Sequence, residues 1–199
     1  MAEYQHDIKD MIGIVLVGGE SKRMGKAKAT IEYKGVRLFE RTAMLMKDFV
    51  EGIYISGKTE QMKGLNIEDK DFIPDIFHDM GPMAGILSAH KFLDGTNKAL
   101  LVCATDLPFL DHETLSKLIT NRDKSKKASM FRHPDTSFLE PLLAIYENQA
   151  FPLMLQEVEK GNFALHRIFN EKDLNLIDLP KKRSLYNINY PGQLSELDQ

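Results

Sequence analysis

Residues 11–28 read Met11-Ile12-Gly13-Ile14-Val15-Leu16-Val17-Gly18-Gly19-Glu20-Ser21-Lys22-Arg23-Met24-Gly25-Lys26-Ala27-Lys28. The stretch changes character at Gly18. Before it, Met11 to Val17 is a nearly continuous apolar run rich in β-branched residues, the pattern of a central strand buried on both faces. After it, the segment from Leu16 to Lys28 packs three glycines and the four cations Lys22, Arg23, Lys26 and Lys28 into thirteen residues. Glycines let backbone N–H groups approach phosphate oxygens closely, and lysine and arginine neutralise charge that amides alone cannot. A buried strand that opens into such a loop points to an α/β fold binding an anionic ligand at the carboxyl end of its sheet.

Two familiar phosphate loops do not fit. A Walker loop has four residues between its first glycine and Gly-Lys-Ser/Thr, whereas five separate Gly19 from Gly25 and Ala27 follows Lys26, which removes the metal-binding hydroxyl. A dinucleotide fingerprint needs G-x-G-x-x-G, but Gly18 and Gly19 are adjacent and no third glycine falls at the required offset.

Outward from this loop, short β-branched runs alternate with amphipathic segments, which predicts βαβ units, a largely parallel sheet and helices on both faces. Leu38 to Phe49 has helical spacing, Ile53 to Ile55 reads as a strand, and Phe72-Ile73 before Pro74 reads as another. Met83 to Phe92 is helical. Ala99 to Cys103 is a buried strand that leads through Thr105, Asp106, Leu107 and Pro108 to Asp111, the expected N-cap of a helix reaching Leu118. Asn121 to Lys127 reads as a solvated charged connection. Strands follow at 128–131 and 142–146, helices at 151–159 and 163–169, and a strand at 174–178. The expected fold is a single-domain three-layer α/β/α sandwich, Rossmann-like with a mostly parallel sheet, over residues 11–199, preceded by a ten-residue N-terminal extension.

Composition sets the remaining bounds. With 26 Lys plus Arg against 29 Asp plus Glu, a net charge of −3, nothing calls for nucleic acid or an anionic membrane. The first ten residues are too polar for a signal peptide, and no run has the length of a membrane span. The single cysteine, Cys103, cannot form an internal disulfide, and a cytoplasmic setting is expected. The six histidines show no metal-ligand spacing, and no Gly-x-Ser-x-Gly elbow is present. The methionines, Met44, Met46 and Met154 among them, read as core filler.

The loop matches L-x-G-G-x-S-x-R-M-G-x-x-K through Leu16, Gly18, Gly19, Ser21, Arg23, Met24, Gly25 and Lys28. That signature resembles the nucleotidyltransferases of nucleotide-diphospho-sugar transferase fold, and within them the molybdenum cofactor guanylyltransferases, which join GMP to molybdopterin. The likeness recurs at Pro74-Asp75 with Gly81-Pro82-Met83-Ala84-Gly85-Ile86, similar to the family's aspartate-then-GPLAG segment. It returns at Thr105-Asp106-Leu107-Pro108-Phe109, similar to C-D-M-P-F, and at Glu140-Pro141-Leu142-Leu143-Ala144-Ile145-Tyr146, similar to Q-P-L-x-A-L-Y. Asn187-Ile188-Asn189-Tyr190-Pro191 is similar to N-x-N-T-P.

The resemblance implies GTP and molybdopterin as substrates, Mg²⁺ as the cofactor, and transient contact with other molybdenum cofactor proteins or acceptor enzymes. It implies that Leu16, Val17, Gly18, Gly19 and Ser21 lie against the nucleotide, and that Arg23 and Lys28 meet its phosphates. Ser56 falls at a base contact, Asp75 at a further nucleotide contact, Asp106 at the metal, and Asn187 and Asn189 on the pterin side. Arg23, Lys28 and Asp106 are the expected catalytic residues. Three departures stand out: Val17 for alanine, Ala27 for the aspartate before the loop lysine, and Tyr190 for threonine. Open alternatives are a cytidylyltransferase or sugar-phosphate nucleotidyltransferase of the same fold, or a non-catalytic nucleotide-binding relative. The Gly18-Gly19 pair is more like the guanylyltransferases.

Overall fold

A computed structural model of the chain describes residues 10–18, 30–62, 65–133, 136–179, 182–188 and 193; most of the N-terminal extension lies outside them. Among the described residues the strands are β1 (Met11–Leu16), β2 (Glu32–Tyr33), β3 (Val36–Arg37), β4 (Gly52–Gly57), β5 (Phe72–Pro74), β6 (Ala99–Ala104), β7 (Ala128–Arg132), β8 (Leu139–Tyr146) and β9 (Leu174–Asp178). The α-helices are α1 (Leu38–Met46), α2 (Thr59–Met62), α3 (Pro82–Phe92), α4 (His112–Thr120), α5 (Phe151–Glu159) and α6 (Leu165–Ile168).

Seven strands form one sheet in the order β5-β4-β1-β6-β8-β7-β9. The pairs β5–β4, β4–β1, β1–β6 and β7–β9 are parallel, while β8 runs antiparallel to both β6 and β7. The sheet is therefore mostly parallel, as expected. From β1 the chain progresses to β4 and β5 on one side, and β6 lies on the other side. Open α/β sheets form a ligand crevice at such a switch point.

Strand alternation divides the core into two layers. Val15, Leu101, Cys103 and Ile145 face Phe39 and Met46 of α1 and Leu115 and Leu118 of α4. Ile14, Leu100, Val102 and Ala144 face Met83 and Ile86 of α3 and Phe151 and Met154 of α5. All six β1 residues are buried, which accounts for the unbroken apolar run. Asp111 caps α4, its Oδ1 accepting from Thr114 N–H at 2.9 Å, and α5 starts with Pro152 in its first turn, where a missing N–H costs nothing.

Three expectations need correction. Met44 is 59 % exposed, although Met46 and Met154 are fully buried; Met44 falls off the apolar stripe of α1. The Asn121–Lys127 segment is not wholly solvated, because the Arg122 side chain is 5 % exposed and forks onto Glu147 at 2.6 and 2.8 Å while reaching Asp10 at 2.7 Å. The third concerns 163–169, where only Leu165–Ile168 is helical.

Candidate active site

Parallel pairing continues one residue past the strand ends and fixes what stands there. Val17 N–H donates to Ser56 O (2.9 Å), Asp75 N–H to Gly57 O (2.9 Å) and Thr105 N–H to Leu16 O (3.3 Å). The carboxyl ends of β1, β4, β5 and β6 thus form one rim. Beneath it, on the α3 face, lies a cavity of about 450 Å³. Leu16, Ala104, Leu142, Pro82 and Ala84 give it apolar walls, and Ser56, Lys58, Asp75, Asp79, Thr105 and Asp106 bring polar groups. A mostly apolar slot with a few convergent polar groups is the usual form of a small-molecule site. The first turn of α3 also lines it, so the positive end of that helix faces the ligand space.

Gly85, in that first turn, lets α3 sit close. A Cβ there would lie 2.8 Å from Leu16 Cδ2, 3.1 Å from Ser56 Oγ and 3.4 Å from Asp75 Oδ1. Ser56 is 1 % exposed, and its hydroxyl donates to Asp75 Oδ1 or to Gly85 O, each at 3.3 Å. One hydroxyl proton serves one acceptor at a time, so Ser56 joins β4 to either β5 or α3. Ile76 N–H, donating to Ser88 Oγ at 2.9 Å, adds a second tie between the Asp75 segment and α3. Burial pushes the Asp75 carboxyl above the usual carboxylate range, opposed by the Ser56 hydroxyl and by the charges of Lys58 and His78.

Asp106 stands just past β6 on the opposite wall. Its carbonyl oxygen accepts from Ile188 N–H at 3.0 Å, which brings Asn187 beside it from the far end of the chain. Ile188 is buried in a satellite cluster with Ile31 and Leu38, against which Tyr33 and Phe109 pack. The same cluster therefore holds the chain as it leaves the glycine-rich loop, the Asp106 turn and the Asn187 segment. Arg41 strengthens it by donating to Pro108 O (3.2 Å) and Leu110 O (2.9 Å).

Of the residues expected from sequence, Leu16, Gly18, Ser56, Asp75 and Asp106 come together around the cavity. The Val17 side chain turns to the other core layer, against Gly57. Asn187 is brought beside Asp106 by the Ile188 N–H and stands outside the cavity lining. Gly19, Ser21, Arg23, Ala27, Lys28, Asn189 and Tyr190 lie outside the described residues.

Asp79, Lys58 and Glu140, polar residues at or beside the site, carried no individual signal in the sequence. Lys58 lines the cavity, and a lone lysine after a strand reads as surface. Glu140 is 5 % exposed, next to Asp106; burial and that neighbouring carboxylate push its carboxyl up to about 7, against a pull from the Leu142 N–H. Cys103 is core, its thiol pushed up by burial and by Asp106 and Glu140, which leaves it unreactive.

The arrangement suits a small polar ligand held between the strand-end carboxylates and the first turn of α3. Among the described residues no group of three or more His, Cys, Asp and Glu forms a metal cage, and no helix is long and apolar enough to cross a membrane.

Comparisons with known proteins identify the family and the fold. The sequence pattern of the family described as "MobA-like NTP transferase domain" matches residues 13–174. The chain is 31 % identical over 192 residues to the "Molybdenum cofactor biosynthesis bifunctional protein" of Synechocystis sp., covering 94 % of this chain and 54 % of that protein, so it spans about half of that relative's length. To the "Probable molybdenum cofactor guanylyltransferase" of Nostoc sp. it is 26 % identical, covering 94 % of this chain and 90 % of that one. Among solved structures it is similar to "Molybdopterin-guanine dinucleotide biosynthesis protein A" of Archaeoglobus fulgidus, with a TM-score of 0.75, 25 % identity, and coverage of 94 % and 96 % of the two chains.

Proposed function

The chain belongs to the family of MobA-like NTP transferase domains, and from that premise we propose that it transfers GMP from GTP to molybdopterin, yielding molybdopterin guanine dinucleotide and pyrophosphate. The observation that carries the reading is the convergence of Leu16, Gly18, Ser56, Asp75 and Asp106, drawn from four separate strand ends, on one cavity. The names of the relatives, molybdenum cofactor guanylyltransferases that match nearly end to end, supply the substrates.

In this reading the nucleoside enters the slot between Leu16, Leu142 and the first turn of α3, with Asp75 turned towards its base. The triphosphate lies along Gly18, Gly19 and Ser21, where Arg23 and Lys28 neutralise it. An oxygen of molybdopterin's terminal phosphate, already ionised near pH 7, attacks the α-phosphorus of GTP. A P–O bond forms, the α–β bridging P–O bond breaks, and pyrophosphate leaves with the electron pair. No protein nucleophile is needed, so the residues serve to align two polyanions and to meet the developing charge. Asn187 and Asn189 hold the pterin side.

Asp106, strand-terminal and lining the cavity, suits Mg²⁺, which binds through one or two carboxylates with phosphate oxygens and waters instead of an all-protein cage. Bound there, the ion would supply charge neutralisation at the transferring phosphate. Buried, thiol-state Cys103 suits a cytoplasmic enzyme.

Equilibrium titration of the chain with GTP, CTP, ATP and UTP in Mg²⁺ tests the substrate. GTP should bind most tightly; tighter binding of CTP would sink the guanylyl reading.

A further inference from the structure

Lys58 takes no part in the roles above, yet its position is specific. Alternation along the end of β4 puts Ser56 and Lys58 on one side and Gly57 on the other, where a Cβ would lie 2.7 Å from Val17 Cγ2. Ser56 is sealed at the floor, and Lys58 lines the same cavity from its exposed rim. Its backbone is anchored, because its N–H donates to Gln61 Oε1 at 2.8 Å. Its ammonium makes no ion pair among the described residues. Asp75, close enough to feel that charge, lines the cavity beside it and is held by Ser56. One residue with an acceptor-only group and one with a donor-only group therefore line the slot from the adjacent ends of β4 and β5.

Guanine is the base that engages that pair most fully. Guanine presents two adjacent donors, N1–H and the 2-amino group, next to the O6 acceptor, so a carboxylate takes the first two while an ammonium donates to the third. Adenine would turn its 6-amino donor towards the ammonium, and cytosine its 4-amino donor, leaving two donors opposed.

We propose that Lys58 is a base-specificity residue, donating to O6 of a guanine whose N1–H and 2-amino groups are accepted by Asp75. This rests on the cavity being the nucleotide seat of the proposed function.

The test is Mg²⁺-dependent binding of GTP, ITP, ATP and the triphosphate of 2-aminopurine riboside to the wild type, Lys58→Met and Lys58→Arg. Loss of a hydrogen bond from a charged group should weaken GTP and ITP, which both carry O6, by roughly tenfold or more in Lys58→Met. The 2-aminopurine nucleotide, which lacks O6, should be unaffected, and Lys58→Arg should retain most of the GTP affinity. An equal loss for all four would place Lys58 on the phosphates, and no loss would place it outside the site; either overturns the proposal. Tighter binding of ATP than GTP by the wild type would instead overturn the guanine reading itself, and Lys58's role with it.

Discussion

Replacing Gly85 by alanine adds one methyl group where β1, β4, β5 and α3 converge. Its Cβ would lie 2.8 Å from Leu16 Cδ2, closer than such atoms tolerate, and 3.1 Å from Ser56 Oγ. Either Leu16 must turn into the cavity or α3 must move away from Ser56, whose bond to Gly85 O is only 3.3 Å to begin with. Overpacking of this kind costs about 1–3 kcal/mol, while alanine in place of glycine within a helix returns about 1 kcal/mol. The net loss is then between nothing and about 2 kcal/mol, and at roughly 2–4 °C per kcal/mol for a chain of this size the melting temperature should fall by only a few degrees. Nucleotide binding should suffer more, since both relaxations disturb Leu16, Ser56 or Asp75 inside the slot. If one hydrogen bond that Asp75 accepts from the base is misaligned, the loss is about ten- to a hundredfold in affinity. Thermal melting and GTP titration on the same preparation separate the two effects. Undiminished GTP affinity in a folded Gly85→Ala chain would refute the placement of the nucleotide against α3.

Two further outcomes probe the surroundings of the site. The carboxyl of Glu140 is held at about 7 instead of its ordinary 4.5, so the folded chain binds that proton more tightly than the unfolded one. Stability from this group is present below about pH 4.5 and is lost as pH rises through about 7, by about 3 kcal/mol in all. Denaturant titrations should therefore show Glu140→Gln matching the wild type near pH 5 and exceeding it by up to that amount at pH 8; a gain independent of pH would contradict the burial argument. Arg122→Met strands the buried carboxylate of Glu147 and should cost about 3–5 kcal/mol. Its Asp10 partner precedes β1, about 20 Å along the strand from the cavity, so GTP affinity of the folded fraction should hold, and a specific loss of binding would show the ion pair to be coupled to the site.

What the sequence disclosed follows the range of the forces involved. Phe151–Glu159 and Leu174–Asp178 coincide with their expected bounds, because proline in a first helical turn and a short apolar run act locally. The β2–β3 hairpin went unread; its strands have two residues each, and its one signal is the Lys34-Gly35 turn, both residues at positive φ. The antiparallel setting of β8 between β6 and β7 depends on pairing across distant parts of the chain, which periodicity does not encode. Arg122 belongs to the same class, since its partners are 25 and 112 residues away. At the site, Asp75, Gly85 and Asp106 were legible because they sit in motifs with fixed offsets. Lys58 and Glu140 gain their character from what faces them in space, the Asp75 carboxylate for one and Asp106 for the other.

The central claim is that GTP gives up its α-phosphorus to molybdopterin at the cavity beside Asp106. It is tested most directly by supplying the chain with Mg²⁺, molybdopterin and GTP labelled at the α-phosphate. The label should pass into a molybdopterin dinucleotide with one pyrophosphate released per transfer, and Asp106→Asn should lower the rate by at least about a hundredfold. Label appearing only as free GMP, or faster transfer from α-labelled CTP, would contradict the account.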